Sequence, residues 1–254
     1  MNLYEAISLR KSNRKFLMEA IDPEKLAAIG AFYEDAQLLS PGISTEIGIT
    51  DNTDGKHAPW GLFGVKAPYY LSIYSEKKDR YMMNAGCIME QISLYMLTLG
   101  IASCFLGNVS YRDAKQREDK EFIIVLAFGK PDGPLTRRSV DAKRLSVQDL
   151  CIFKEDPRRW TQDIIEVARL APSAFNAQPW RFVVMANRIH FFSKKRDLDR
   201  MGRWDEFDFG CLFAHILVTA DELWLDLDLI RLENISQKNF RSSQYVLSAI
   251  IKAE

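Results

Sequence analysis

With 254 residues, 47% of them apolar and 27% charged, the chain has the balance of a globular protein with a sizeable core. Thirty-four basic residues offset 34 acidic ones, which excludes the overall basic field that holds nucleic acid or an anionic membrane. The opening "MNLYEAISLRKSNRKFL" lacks the apolar core of a signal peptide, and apolar runs such as "FIIVLAF" (122–128) fall far short of the roughly 20 residues that span a bilayer. Four cysteines (Cys87, Cys104, Cys151, Cys211) form no CxxC pair, and three histidines form no cluster. A reduced, cytoplasmic protein without a metal site is therefore expected.

In chain order, "LYEAISL" opens a short amphipathic helix, with Leu3, Ala6, Ile7 and Leu9 at near-helical spacing. "DPEKLAAIGAFYEDAQLL" follows, with Asp22 as N-cap and Pro23 at the first helical position. "APYYLSIYS" (67–75) reads as a strand. The stretch "GCIMEQISLYMLTLGIASCFLG" (86–107), apolar on nearly every face, predicts a central buried helix. "EFIIVLAFG" (121–129) predicts a buried strand, and the turn-rich "KPDGPLTRRSVDAKR" a basic connector.

A second cycle then begins: helix in "TQDIIEVARLA", strands in "RFVVMA" and "RIHFFS", and a buried helix in "DFGCLFAHILVTADEL". "EDAQLLSP" (34–41) aligns with "EVARLAPS" (166–173), and "NAGCIMEQI" (84–92) with "DFGCLFAHI" (208–216), which shares Gly-Cys near the helix start. The pattern predicts duplication of one α+β unit. Cys87, Cys211, Trp180 and Met82, Met83, Met89 and Met96 read as core residues, and "SEKKDR" and "SKKRDLDR" as solvated turns at matching points of the repeat.

Two motifs bear chemistry. In "SLRKSNRKF" (8–16), Arg10, Ser12 and Arg14 alternate, so in an extended segment they share a side. Taken alone, this fits either a phosphate held between guanidinium forks or a solvated basic turn. In "ARLAPSAFNAQPWRFVV" (168–184), Ser173, Asn176 and Gln178 offer donors and acceptors between the stiffening Pro172 and Pro179. Alone, that stretch fits a ligand-holding loop or an ordinary polar turn after a helix.

Together the two motifs resemble the FMN-dependent nitroreductase family, which opens with an R-x-S-x-R-like segment and follows it with A-P-S-x-x-N-x-Q-P-W. The matching residues are Arg10, Ser12 and Arg14, then Ala171, Pro172, Ser173, Asn176, Gln178, Pro179 and Trp180. "LGIASCFLG" (99–107), "IIVLAFGKP" (123–131) and a basic tail at Lys143 and Arg144 also have counterparts in the family. The resemblance implies an α+β, nitroreductase-like fold whose two related halves, residues 1–152 and 153–254, pack as an internal pseudo-dimer.

Ordinary members carry both motifs in one unit and form homodimers with FMN at the interface. Here the first half keeps Arg10, Lys11, Ser12, Arg14, Leu106, Gly107 and the basic tail, while its own turn reads "LLSPGISTEIG". The second half keeps Pro172, Ser173, Asn176 and Gln178 but has "CIFKEDPRRWTQ" in place of the arginine motif. The surviving pieces are those one interface site takes from each side, which predicts a monomer with a single FMN.

The resemblance implies that Arg10 and Ser12 hold the phosphate, with Arg144 favoured among Arg137, Arg138, Lys143 and Arg144 to add charge, and that Lys11 belongs to the cofactor site. Arg14 is placed at the pyrimidine edge, Ser173, Asn176 and Gln178 at ribityl or pyrimidine atoms, and Leu106 and Gly107 at the reactive edge. The flavin would do the chemistry, with NADH or NADPH as transient donor and a nitroaromatic or quinone-type small molecule as acceptor. No protein nucleophile or catalytic triad is expected. The alternatives are a non-catalytic flavin carrier or sensor, and a nitroreductase-fold enzyme with other flavin chemistry.

Overall fold

A computed structural model of the chain describes residues 1–61, 64–111, 117–194, 204–235 and 243–252. Helix α1 (Leu3–Leu9) starts from a reciprocal capping box, in which the Glu5 amide donates to the Asn2 side chain and the Asn2 amide to the Glu5 carboxylate. It stops at Arg10, whose backbone is extended. Helix α2 (Pro23–Asp35) has the expected Asp22 cap and Pro23 start.

Strands β1 (Thr45–Asp51) and β2 (Tyr69–Ser75) precede the central helix α3 (Tyr81–Thr98), and β3 (Ala102–Leu106) and β4 (Glu121–Gly129) follow it. The apolar stretch read as one helix over 86–107 is divided. The helix begins at Tyr81 and ends at Thr98, Gly100 takes a positive φ of 78°, and the rest becomes β3. Apolar residues alone cannot separate a buried helix from a buried strand. Here the glycine, free of a Cβ, makes the break.

The basic connector leads to α4 (Val147–Leu150) and β5 (Cys151–Phe153), then α5 (Arg159–Ala168), β6 (Trp180–Val184), β7 (Arg188–Lys194), α6 (Asp205–Glu222), β8 (Leu227–Ile230) and β9 (Ser243–Ile251). Most of "SKKRDLDR" lies outside the described residues.

The first sheet has the order β1-β2-β4-β3 and the second β5-β6-β7-β9-β8. Without β5, both follow one antiparallel plan, with the strands around each central helix in the same positions. Both also carry an irregularity at a matching pairing, between Ile73 and Tyr74 in one and Phe191 and Phe192 in the other. β5 differs: it leaves the first half and pairs in parallel with β6 of the second, so residue 152 falls inside a strand of the second sheet.

The two central helices pack on one another, which explains the repeated Gly-Cys. A Cβ on Gly210 would lie 2.7 Å from the Cys87 amide nitrogen and 2.8 Å from the Gly86 Cα, and one on Gly86 would lie 3.0 Å from the Phe207 carbonyl carbon. Only glycine on both sides permits this backbone-to-backbone crossing. Around it the halves exchange side chains: Phe207 and Cys211 of α6 join the core beneath the first sheet, and Met83 of α3 joins the second, with Trp180, Phe182 and Phe213. No helix among the described residues is long and apolar enough to cross a membrane.

Candidate functional site

The segment after α1 is extended and lies along β3. Ser12 forms a parallel bridge with Ser103, and the Asn13 amide donates to the Ser103 carbonyl at 3.0 Å. This places Ser12 and Arg14 on the wall of a cavity of about 380 Å³, within the size range of small-molecule sites. Leu106, Gly107 and Asn108, at the end of β3, line the same cavity. The indole of Trp204 packs against Gly107, where a Cβ would stand 3.2 Å from the ring. Phe105 and Phe207 meet edge to face beside it.

The opposite wall comes from the second half: Pro172, Ser173, Ala174 and Phe175 from the turn after α5, and Asp208 and Cys211 from α6. The turn holds an unfavourable backbone, with left-handed φ at Phe175 (54°), Asn176 (56°) and Gln178 (47°). Several bonds hold it there. The Ala174 amide donates to Asp208 at 3.0 Å, and the Gln178 amide to the Ser173 hydroxyl at 3.0 Å. Asn84 occupies the place of Asp208 in the first half and likewise accepts from backbone amides, those of Leu39 and Ser40. Strain of this kind concentrates at functional sites, and here it presents Phe175, 52% exposed, at the cavity.

Asn176 and Gln178 join the turn to the first half's tail. Arg144 Nη1 donates to the Asn176 Oδ1 at 2.7 Å, and Asn176 Nδ2 donates to the Lys143 carbonyl at 2.9 Å. The Leu145 amide donates to the buried Gln178 Oε1 at 2.7 Å. Gln178, Asn176 and Arg144 are thus beside the cavity rather than among its lining residues, and so is the half-buried Lys11.

Arg10 is also set back, 4% exposed, with Nε donating to the Ser93 hydroxyl at 3.1 Å. Arg10, Arg137 and Arg144 lie within electrostatic reach of one another. Burial, then repulsion from Arg137 and Arg10, pulls the Arg144 guanidinium down to about 10, and burial with Arg10 lowers Arg137. Two buried donors, Arg10 Nη2 and Arg137 Nε, lack a partner among the described residues. Glu90, 3.2 Å from Arg10, offsets part of this repulsion, and three guanidiniums with two unfilled donors suit an anion. Arg138, by contrast, is exposed and paired with Asp141.

The motifs pointed to Ser12, Arg14, Leu106, Gly107, Pro172 and Ser173, and these meet at one cavity. Sequence reading missed Asp208, Trp204, Phe207, Cys104 and Cys211 as lining residues. Of these, Asp208 and Cys211 had a visible signal, their alignment with Asn84 and Cys87 in the repeat. No cluster of His, Cys, Asp or Glu among the described residues is placed to hold a metal.

All four cysteines are buried, and burial pushes the Cys87 and Cys151 thiols up to about 12 and raises Cys104 and Cys211. They are therefore neutral at pH 8, and the thiolate is the reactive form. Ellman's reagent at pH 8 is expected to titrate four thiols in denaturant and fewer than one within minutes in the native chain; rapid native reaction would show that the cavity admits the reagent to Cys104 or Cys211.

Two sheets, antiparallel apart from the β5–β6 pair, around a crossed helix pair, with a cavity walled from both halves, define a two-unit α+β protein. The family model described as "Putative TM nitroreductase" matches residues 2–220, and the chain belongs to this nitroreductase family. A solved structure titled a "putative nitroreductase" from Thermotoga maritima is 21% identical, covers 99% of this chain and 93% of its own, and superposes with a TM-score of 0.62. A nitroreductase family protein from Clostridium difficile is 16% identical over 59% of this chain and 96% of its own, with a TM-score of 0.48. An FMN-dependent nitroreductase from the same species is 20% identical over 57% and 92%, with a TM-score of 0.43. No curated protein matches the sequence.

Proposed function

We propose that the chain is a cytoplasmic FMN-dependent oxidoreductase working as a fused pseudo-dimer, with one flavin held between residues 1–152 and 153–254. The observation that carries this reading is a cavity lined by Ser12, Arg14 and Gly107 from one half and Pro172 and Ser173 from the other. The unfilled donors of Arg10 and Arg137 fit the phosphate, and the cavity size and apolar walls fit a planar ring system. Bound FMN would supply hydride exchange, taken from NADH or NADPH and passed to a small nitroaromatic or quinone-type acceptor in a ping-pong sequence.

The protein's role is to position and to exclude water. Arg10, Arg137, Arg144 and the Ser12 hydroxyl hold the phosphate. Arg14, on the cavity wall, supplies a cation that favours negative charge on the bound ring system. Gly107 lets a ligand approach the backbone, and Phe105, Leu106, Trp204 and Phe207 keep water from the reacting face.

No residue of the pseudo-equivalent turn of the first half, 36–44, lines the cavity. Leu39 and Ser40 are bonded to Asn84, and Gln91 both accepts from the Gln37 amide and donates to the Gln37 carbonyl. One FMN per monomeric chain is therefore expected when flavin absorbance is set against protein concentration on a particle sized by light scattering. Two per chain would mean that the second turn opens, and none would remove the flavin reading. Bound FMN with no oxidation of NADH or NADPH would favour a carrier or sensor.

A further inference from the structure

Behind the cavity, Arg10 faces Glu90 of α3, and Glu90 faces His215 of α6; Glu90 and His215 are both 0% exposed. Glu90 Oε1 lies 3.2 Å from Arg10 Nε and 2.9 Å from His215 Nε2, while Oε2 has no hydrogen-bond partner among the described residues. The other imidazole nitrogen, His215 Nδ1, is 2.9 Å from the Val167 carbonyl oxygen.

A carbonyl oxygen only accepts, so Nδ1 carries a hydrogen. In a neutral imidazole Nε2 is then bare, and its lone pair would face a carboxylate lone pair at 2.9 Å. That contact requires a proton, either on Nε2, giving imidazolium and carboxylate, or on Oε1, giving imidazole and carboxylic acid. The pair sums to zero charge in both arrangements. Of the remaining groups nearby, the Cys87 and Cys211 thiols are held neutral by burial, Arg137 and Arg144 are cations, and the Asp208 carboxylate is engaged by the Ala174 amide at 3.0 Å. The hydrogen of Arg10 Nε goes to the Ser93 hydroxyl, which in turn bonds Ser103, so a serine pair orients the guanidinium.

We propose that His215 acts as a positioning residue that shares one proton with Glu90, so that the buried Arg10–Glu90–His215 cluster keeps one net positive charge for the flavin phosphate. This rests on the flavin reading above. His215, from the second half, keeps Glu90 of the first from cancelling one of the three guanidinium charges. Without His215, the Glu90 carboxylate is left with Arg10, 3.2 Å away, as its ion-pair partner and cancels its charge.

The test measures dissociation constants for FMN and for riboflavin, which lacks the phosphate, by flavin fluorescence quenching. His215→Gln is expected to weaken FMN by roughly tenfold or more, from one unit of charge restored beside the phosphate site, with riboflavin unchanged to within about twofold. Glu90→Gln alone is expected to keep FMN affinity within about threefold, and the double variant to recover it to that level. A purely structural pair predicts the reverse, with the double variant no better than His215→Gln and riboflavin weakened equally, and either result overturns the proposal. A tenfold change in FMN affinity from Glu90→Gln alone, in either direction, also overturns it; this arm decides if thermal unfolding shows His215→Gln to be misfolded. Failure of the unaltered chain to bind FMN would instead remove the flavin reading, and this inference with it.

Discussion

Gly210→Ala is expected to destabilise the folded chain by about 3 kcal/mol or more, at the upper end for an overpacked core. The new methyl would press on helix backbone, the Cys87 nitrogen and Gly86 Cα, which cannot rotate away as a side chain can. Relief requires α3 and α6 to separate, and both cores draw side chains from both helices. Thermal unfolding should fall by roughly 6–12 °C for that loss in a chain of this size. Gly86→Ala meets the Phe207 backbone and should behave alike. Gly30→Ala in α2, where a Cβ meets nothing within 4 Å, is the control and should raise stability by about 0.5–1 kcal/mol. An unchanged melting temperature for Gly210→Ala would show that the crossing can slide.

The second large effect concerns binding. Arg10→Ala is expected to weaken FMN by about 100-fold, in line with truncating one side of a buried charge pair. Asn176→Ala, in the other half, should weaken it by about tenfold. Asn176 holds Arg144 at 2.7 Å and the Lys143 carbonyl at 2.9 Å, so its loss frees the tail that brings the third guanidinium. Titration of each variant with FMN decides the matter. If Asn176→Ala binds like the unaltered chain, the cavity does not depend on both halves.

The readable features of this sequence are the local ones. The α2 cap needs only Asp22 and Pro23, and β4 is one continuous apolar run bounded as expected at 121–129. Strands β1, β8 and β9 were not anticipated: β1 in "TEIGITD" is half-exposed with weak alternation, and β8 has only four residues. The cavity's two contiguous motifs could be seen, but Glu90, His215 and Asp208 could not be assigned roles. Each is a polar residue within an apolar helix, and its partner comes from elsewhere in the chain, as Val167 and Glu90 do for His215. Alternation placed Arg10, Ser12 and Arg14 on one side, yet the α1 end and Ser93 draw Arg10 inward while the other two line the cavity.

The three-residue strand β5 bears on how a ligand enters. Because the first half's tail is hydrogen-bonded into the second half's sheet and Leu145 is anchored on Gln178, the halves have no free swivel between them. A two-lobed enzyme can admit its ligand by a clamshell motion, but here such a motion would tear a strand from a sheet and pull apart a pair of helices in backbone contact. The cavity walls are thereby fixed relative to one another, and Phe175, exposed and on the cavity wall, stands where a ligand would meet solvent.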